Sequence, residues 1–301
     1  MTSRLRAVLV ALAAVAALAS WGGAARTAPP AGPCGTVERP PATYAHVIWI
    51  WMENRVYDDV VGSSSAPFVN ALAAACGLAT NYHALTHPSL PNYLAATSGG
   101  TQGVGDDGDP SQHRLSAPSL FGQVRSAASY EESMPANCAL TGAGNYAVKH
   151  NPEAYYLRDR AACLRRDVPL GTPSSGQLAS ALDSGTLPRF SFVTPNLCHD
   201  MHDCDTTTGD AWLKTWVTRI TTSSVYQAGR TALVVTWDED DGSSSNHVAT
   251  IVVAPSVQPG TRSAKRFTHY SLLRTTEQLL GVRRYLGNGR TAPSLRSAFG
   301  L

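Results

Sequence analysis

Three apolar runs in this chain each stop at a polar cluster, and this pattern constrains the fold more than any other feature. Ala45–Met52 is nearly all apolar, β-branched or aromatic, and runs into Glu53-Asn54. Arg189–Thr194 is halted by Pro195 and leads to Asn196, Asp200, His202 and Asp203. Ala232–Trp237 runs into Asp238-Glu239-Asp240-Asp241. Such runs fit strands buried on both faces, and Ala249–Ala254 is another. Helical patterns lie between them. One starts at Ser65-Ala66-Pro67, with Ser65 as cap, and stops at Gly77. Leu120–Ala128 and Gly176–Leu182 are short helix candidates. Asp210–Thr222 has apolar residues at helical spacing, and Ser271–Leu280 ends at Gly281. Alternating strands and helices predict an α/β fold, with a central, mostly parallel sheet flanked by helices on both faces. Parallel strands share one C-terminal edge, where such folds bind ligands, so the three polar clusters are expected to meet.

The first 25 residues read as a signal peptide. Arg4 and Arg6 precede the apolar run Ala7–Ala19, and Gly23-Ala24-Ala25 offers a small-residue cleavage site. An uncleaved anchor is the alternative. Residues 26–43 read as an extended lead-in and residues 44–301 as a single domain. Removing the two arginines leaves the 22 acidic residues balanced by as many basic ones, so no nucleic-acid footprint is present. No later segment is apolar for long enough to span a membrane. Six cysteines in an exported chain predict three disulfides, and the sequential pairing Cys34–Cys76, Cys138–Cys163, Cys198–Cys204 is the expectation among the alternatives. A zinc–thiolate site is the competing idea, but no C-x-x-C pair exists.

The acidic clusters suit a divalent metal, because carboxylates and an Asn carbonyl are hard oxygen ligands and His widens the choice. Asp240-Asp241-Gly242 reads equally as a turn, which leaves Asp238 and Glu239 as ligand candidates. The segment Thr86-His87-Pro88-Ser89-Leu90-Pro91-Asn92-Tyr93 places Ser89 just before a helix start at Pro91. Backbone N–H groups there attract phosphate and favour an alkoxide at Ser89; the other reading is that Ser89 only caps the helix. Lys149-His150 is a cationic pair that fits phosphate oxygens, with His150 as a general acid, or a solvated turn. His269 is a lone histidine, and such residues are more often structural.

At these motifs the sequence resembles the phosphoesterase family of bacterial phospholipases C and acid phosphatases, especially the secreted acid phosphatases of mycobacteria and other actinobacteria. Met52-Glu53-Asn54-Arg55, Thr86-His87-Pro88-Ser89, Pro91-Asn92-Tyr93, Lys149-His150, Asp200-Met201-His202-Asp203, Trp237-Asp238-Glu239 and His269-Tyr270 carry the likeness. The resemblance implies an alkaline-phosphatase-like fold and a covalent phospho-enzyme. It implies Ser89 as nucleophile, with Thr86 as fallback, and Asn92 on a phosphoryl oxygen. Glu53, Asn54, Asp238 and Glu239 match the positions that hold metal, a divalent ion of unknown identity. His87, His150, His202 and His269 match positions around the phosphate, with Lys149 beside them. Asp200 and Asp203 are either further metal ligands or orient His202.

The resulting expectation is a secreted acid phosphatase that hydrolyses small-molecule or lipid phosphomonoesters, phosphoinositides among them. Ser89 attacks and His202 or His150 protonates the leaving alcohol. A phospholipase C or other diesterase using the same site is the nearest rival. A non-catalytic exported phosphate-binding protein is the rival of a different class.

Overall fold

The computed structural model describes residues 32–301; the expected signal peptide and the first part of the lead-in lie outside them. Ten strands occur among the described residues: β1 His46–Met52, β2 Gly77–Ala79, β3 Tyr82–His83, β4 Ala127–Glu131, β5 Asp167–Pro169, β6 Phe190–Thr194, β7 Thr231–Trp237, β8 Thr250–Val253, β9 Thr261–Ser263 and β10 Phe267–Thr268. Eight form one sheet in the order β5-β4-β6-β1-β7-β8-β2-β9, and β10-β3 form a small parallel pair. β5, β4, β6, β1 and β7 run parallel, whereas β8 is antiparallel to both of its neighbours. The predicted α/β class is therefore observed.

The central strand β1 is buried from Val47 to Met52 because helices cover both faces of the sheet. Trp49 and Trp51 point one way. Trp49 donates its indole N–H to Thr276 Oγ1 of the helix His269–Leu279, and Trp51 packs on Tyr93 of the helix Ser89–Ser98. Ile48 and Ile50 point the other way and are equally buried. A second helix pair, Pro67–Ala75 and Thr206–Thr221, is joined by Asp210, whose carboxylate accepts from the N–H groups of Phe68 (3.0 Å) and Val69 (2.8 Å).

That contact corrects one local expectation. Ser65 does not cap the helix: Ala66 occupies the N-cap, and the orphan N–H groups are satisfied by Asp210 from the neighbouring helix. Gly77 does not terminate the helix either. It opens β2, and a Cβ there would meet the Phe299 ring at 2.6 Å, so the glycine permits close packing. Leu120–Ala128 is also corrected. Only Leu120–Gln123 is helical, capped by Ser119, and Ala127 already begins β4. The Ala-Ala-Ser segment has a weak β preference, but pairing with β6 and β5 on both edges overrides it. Asp205 caps the helix expected from Asp210, so it starts four residues earlier, at Thr206. The three disulfides join Cys34–Cys76, Cys138–Cys163 and Cys198–Cys204, the sequential pairing. No helix among the described residues is long and apolar enough to cross a membrane.

Candidate active site

The parallel register delivers the polar clusters to one edge. Met52 pairs with Trp237 in adjacent strands, so Glu53 and Asp238 emerge side by side, and Asp238 N–H bonds to Met52 O (3.0 Å). β6 lies on the other side of β1, and the loop after it returns so that Asp200 O accepts from Glu53 N–H (2.8 Å). Asn54 turns the chain with φ +49°, and its N–H bonds to Asp238 Oδ1 (3.2 Å). Glu53, Asp200 and Asp238 are fully buried.

Ser89 is the first residue of its helix rather than the residue before it; Pro88 holds the N-cap. The hydroxyl makes no capping bond. It donates to Glu53 Oε2 at 3.1 Å and lies 3.5 Å from Glu239 Oε1. One turn later, Tyr93 donates its phenol to Glu53 Oε1. The i, i+4 spacing, present in the sequence, puts Ser89 and Tyr93 on one helix face. Thr86 turns its hydroxyl to the His87 carbonyl (3.1 Å), away from this pair.

Asn92 was expected on a phosphoryl oxygen, and the structure engages its whole amide elsewhere. Its Oδ1 accepts from the N–H groups of Leu85 and Thr86, and its Nδ2 donates to Thr86 O and Glu239 Oε2. It shapes the loop before Ser89. His269 is likewise placed behind the site. It is fully buried, with Nε2 on Asp238 O (2.6 Å) and Nδ1 on Tyr82 OH (3.1 Å), so neither ring nitrogen is open to a ligand. His87 stands at the mouth, 42% exposed, with its ring nitrogens 3.1 Å from Glu239 Oε2 and Asp240 Oδ1. Asp240 also accepts from the N–H groups of Gly242, Ser244 and Asn246, the turn role read for it.

His150 is buried between Glu53 Oε2 (3.3 Å from Nε2) and Asp200 Oδ2 (3.2 Å from Nδ1), close but not aligned for hydrogen bonds. His202 is half-buried. Its Nδ1 pairs with Asp203 at 2.7 Å and its Nε2 lies 3.4 Å from Lys149 Nζ. Asp203 is exposed and orients His202, outside the buried cluster where a ligand role would place it. Lys149 also pairs with Asp107 Oδ2 at 2.9 Å. Asp107 gave no signal in the sequence, because it sits in an irregular loop.

Burial dominates the electrostatics. It raises Glu53 well above the carboxylate range, reinforced by Asp238 and Asp200, and raises Asp238 similarly with Glu239 as the next cause. Burial lifts Asp200 to about 7 and Glu239 to about 8. It pushes His150 well below the ordinary histidine value, with Lys149 and His202 adding to the shift. Burial also works to lower Lys149, but Asp107, Glu53 and Asp238 together outweigh it and hold the lysine above its ordinary value.

A model of the phosphoesterase family matches residues 63–283. The chain belongs to the phosphoesterase family. This makes it a phosphate-ester hydrolase by class. The phosphoesterase is 36% identical to a phosphatidylinositol-3-phosphatase of Mycobacterium tuberculosis, over 97% of this chain and 93% of that one. It is 29% identical to an acid phosphatase of Aspergillus fumigatus over 86% of this chain, spanning 59% of that longer protein. Among solved structures, an alkaline phosphatase superfamily protein from Vibrio parahaemolyticus matches with a TM-score of 0.58 at 13% identity. That match covers 88% of this chain and 73% of the other, a likeness of fold.

The site's chemistry fits a divalent cation. Asn54 Oδ1, Asp238 Oδ2, Asp200 Oδ2 and His150 Nε2 are buried and have no hydrogen-bond partner among the described residues, a costly state for a cluster meant to stand alone. Ligand atoms of Glu53, His150 and His202 lie within 4.8 Å of one another; buried His150 joins the expected set, whereas half-buried His202 stays paired with Asp203. Glu239 fits less well, since Ser89, Asn92 and His87 engage both of its oxygens.

Proposed function

We propose that this phosphoesterase is an exported acid phosphatase that cleaves phosphomonoesters through Ser89. The observation that carries the reading is the Ser89 hydroxyl, held at a helix N-terminus against Glu53 and Glu239 inside a buried carboxylate cluster. The names of the mycobacterial and fungal relatives support a monoester substrate, and a phosphoinositide is the lipid substrate to assay first. Three disulfides support export, since such bonds persist in oxidising compartments.

Ser89 Oγ attacks phosphorus as the ester P–O bond breaks, and its proton passes to Glu239 Oε1. Raised to about 8, Glu239 is ionised in only a minor fraction of molecules between about pH 5 and 7, so the rate should climb across that window as the base ionises. Asn92 and His87 hold it in place. His202, oriented by Asp203, gives its Nε2 proton to the leaving alcohol and then takes one from the water that releases phosphate. His150, buried and kept neutral, suits ligation better than acid catalysis. Glu53, Asn54, Asp238 and His150 would hold a divalent metal, which when bound supplies Lewis-acid stabilisation of charge on the phosphoryl oxygens. Lys149 and the helix N-terminus attract those oxygens.

The test is phosphate release from p-nitrophenyl phosphate between about pH 5 and 7 by the wild type and Ser89→Ala. Loss of kcat on the order of a thousand-fold or more, with near-UV circular dichroism unchanged, is expected for a nucleophile. Equal rates in both proteins would remove Ser89 from the mechanism.

A further inference from the structure

One carboxylate of the active site does not come from a strand end. Asp107 lies in the irregular stretch that follows the helix Ser89–Ser98, among Gly103, Gly105 and Gly108. Its Oδ1 accepts from the Leu90 N–H at 3.0 Å and its Oδ2 accepts from Lys149 Nζ at 2.9 Å. Leu90 directly follows Ser89, and its N–H is one of the donors a helix start leaves without an intrahelical partner. Asp107 therefore covers, with its two oxygens, a helix N-terminus and a lysine beside the nucleophile. Those are the donors that an incoming phosphoryl group needs. The loop is anchored just beyond, where Tyr155 OH donates to Gly108 O at 3.1 Å. The Asp107 side chain itself is 28% exposed, so it has solvent to turn into while the backbone stays in place.

We propose that Asp107 occupies the phosphoryl subsite of the free enzyme, and that the substrate's phosphoryl oxygens displace it from Leu90 N–H and Lys149. The proposal rests on the reading of Ser89 as the residue that attacks phosphorus. It makes Asp107 a resident competitor, which lowers the apparent affinity for every phosphoryl ligand by the same factor, set by the fraction of enzyme in which the carboxylate has left the subsite.

The experiment is calorimetric titration of inorganic phosphate into the wild type and Asp107→Asn, which keeps the shape of the side chain and removes its charge. The variant is expected to bind phosphate about ten-fold more tightly, which corresponds to the loss of one modest competing interaction. Its KM should fall by a similar factor for p-nitrophenyl phosphate and for bis(p-nitrophenyl) phosphate, because both displace the same carboxylate. Asp107→Ala, expected to shift both measurements in the same direction, covers the case in which the Asn variant does not fold. Phosphate binding that is weaker or unchanged in the variants would mean that Asp107 only positions Lys149, and it overturns the proposal alone. A wild type that binds no phosphate overturns the proposal, while the Ser89→Ala assay decides the reading of Ser89 separately.

Discussion

The sheet carries a second buried acidic cluster, and its contrast with the first shows what makes a carboxylate cluster reactive. Glu131 ends β4, Asp167 opens β5 and Glu153 approaches from the adjoining turn, all fully buried. Burial raises all three, Asp167 to about 7 and Glu153 to about 8, much as it does around Ser89. The surroundings differ. Arg166 Nε donates to Glu153 Oε1 at 2.6 Å, Asn151 Nδ2 donates to Asp167 Oδ2 at 2.9 Å, and the Cys138–Cys163 disulfide lies against Asp167. Among the described residues no imidazole takes part in those contacts, and the helix-start hydroxyl of Ser119 bonds to Asp159 rather than to any of these three acids. The Ser89 cluster faces His87 and Lys149 at a partly open mouth. Burial alone perturbs carboxylates in both places; a nucleophile, histidines and access distinguish the first.

The sharpest way to break this contrast is Asp238→Asn. It should lower kcat on the order of a hundred- to a thousand-fold, since it removes a ligand candidate whose Oδ2 has no protein partner. The metal-free protein should become more stable near neutral pH by about 1 kcal/mol, because a buried carboxyl that folding forces to keep its proton is gone. Added divalent cation should raise the melting temperature of the wild type and leave this variant unmoved. Activity loss accompanied by destabilisation would make Asp238 a structural residue.

Arg166→Ala probes the second cluster and should do the reverse. With Glu153 raised to about 8, the contact near neutral pH is a guanidinium donating to a largely protonated carboxyl. Its loss leaves a buried acceptor unsatisfied, at a cost of about 1–3 kcal/mol. Activity per folded molecule should stay at the wild-type level. A matching loss of kcat would tie the two clusters together.

How much of this was legible from the sequence follows from where the information sits. β1, β6 and β7 announced themselves because strands buried on both faces must be apolar throughout, and their ends carried Glu53, Asp200 and Asp238 into one place by the geometry of a parallel sheet. β4 is not legible locally, because its strand state is decided by neighbours on both edges rather than by Ala127-Ala128-Ser129 itself. Ser89 and Tyr93 both lie in one motif, but that they share Glu53 follows only from their helical spacing. Asn92 and His269 were identified as site residues, but whether an amide or imidazole faces a ligand or its own backbone depends on contacts from distant segments. Asp107 left no trace, since nothing local marks a loop carboxylate that meets Lys149 across 42 residues.

The pH dependence of stability tests what the two clusters share. Asp200 and Asp167 near 7, and Glu239 and Glu153 near 8, all have folded values above their ordinary ones. The native state therefore keeps protons that the unfolded chain releases, and this stabilisation is fully present below the ordinary carboxylate range and lost as pH rises through 7 to 8. His269 works in the opposite sense. Lowered to about 4 by burial, it costs stability as pH falls below the ordinary histidine value. Above about pH 6.5 that opposing effect is spent, because the unfolded imidazole is itself neutral. Metal-free enzyme should therefore lose stability steadily from about pH 6.5 to 8, by about 1.4 kcal/mol per pH unit for each proton that the folded state alone retains. Denaturant melts at several pH values measure the slope. Asp238→Asn and Glu153→Gln should each flatten it, one from each cluster. Saturating divalent cation should flatten the wild-type slope only through the Ser89 cluster, because a cation selects ionised ligands. A slope unaffected by Glu153→Gln would remove the second cluster from the comparison, and one that rises with pH in chelator would contradict the protonated state of both.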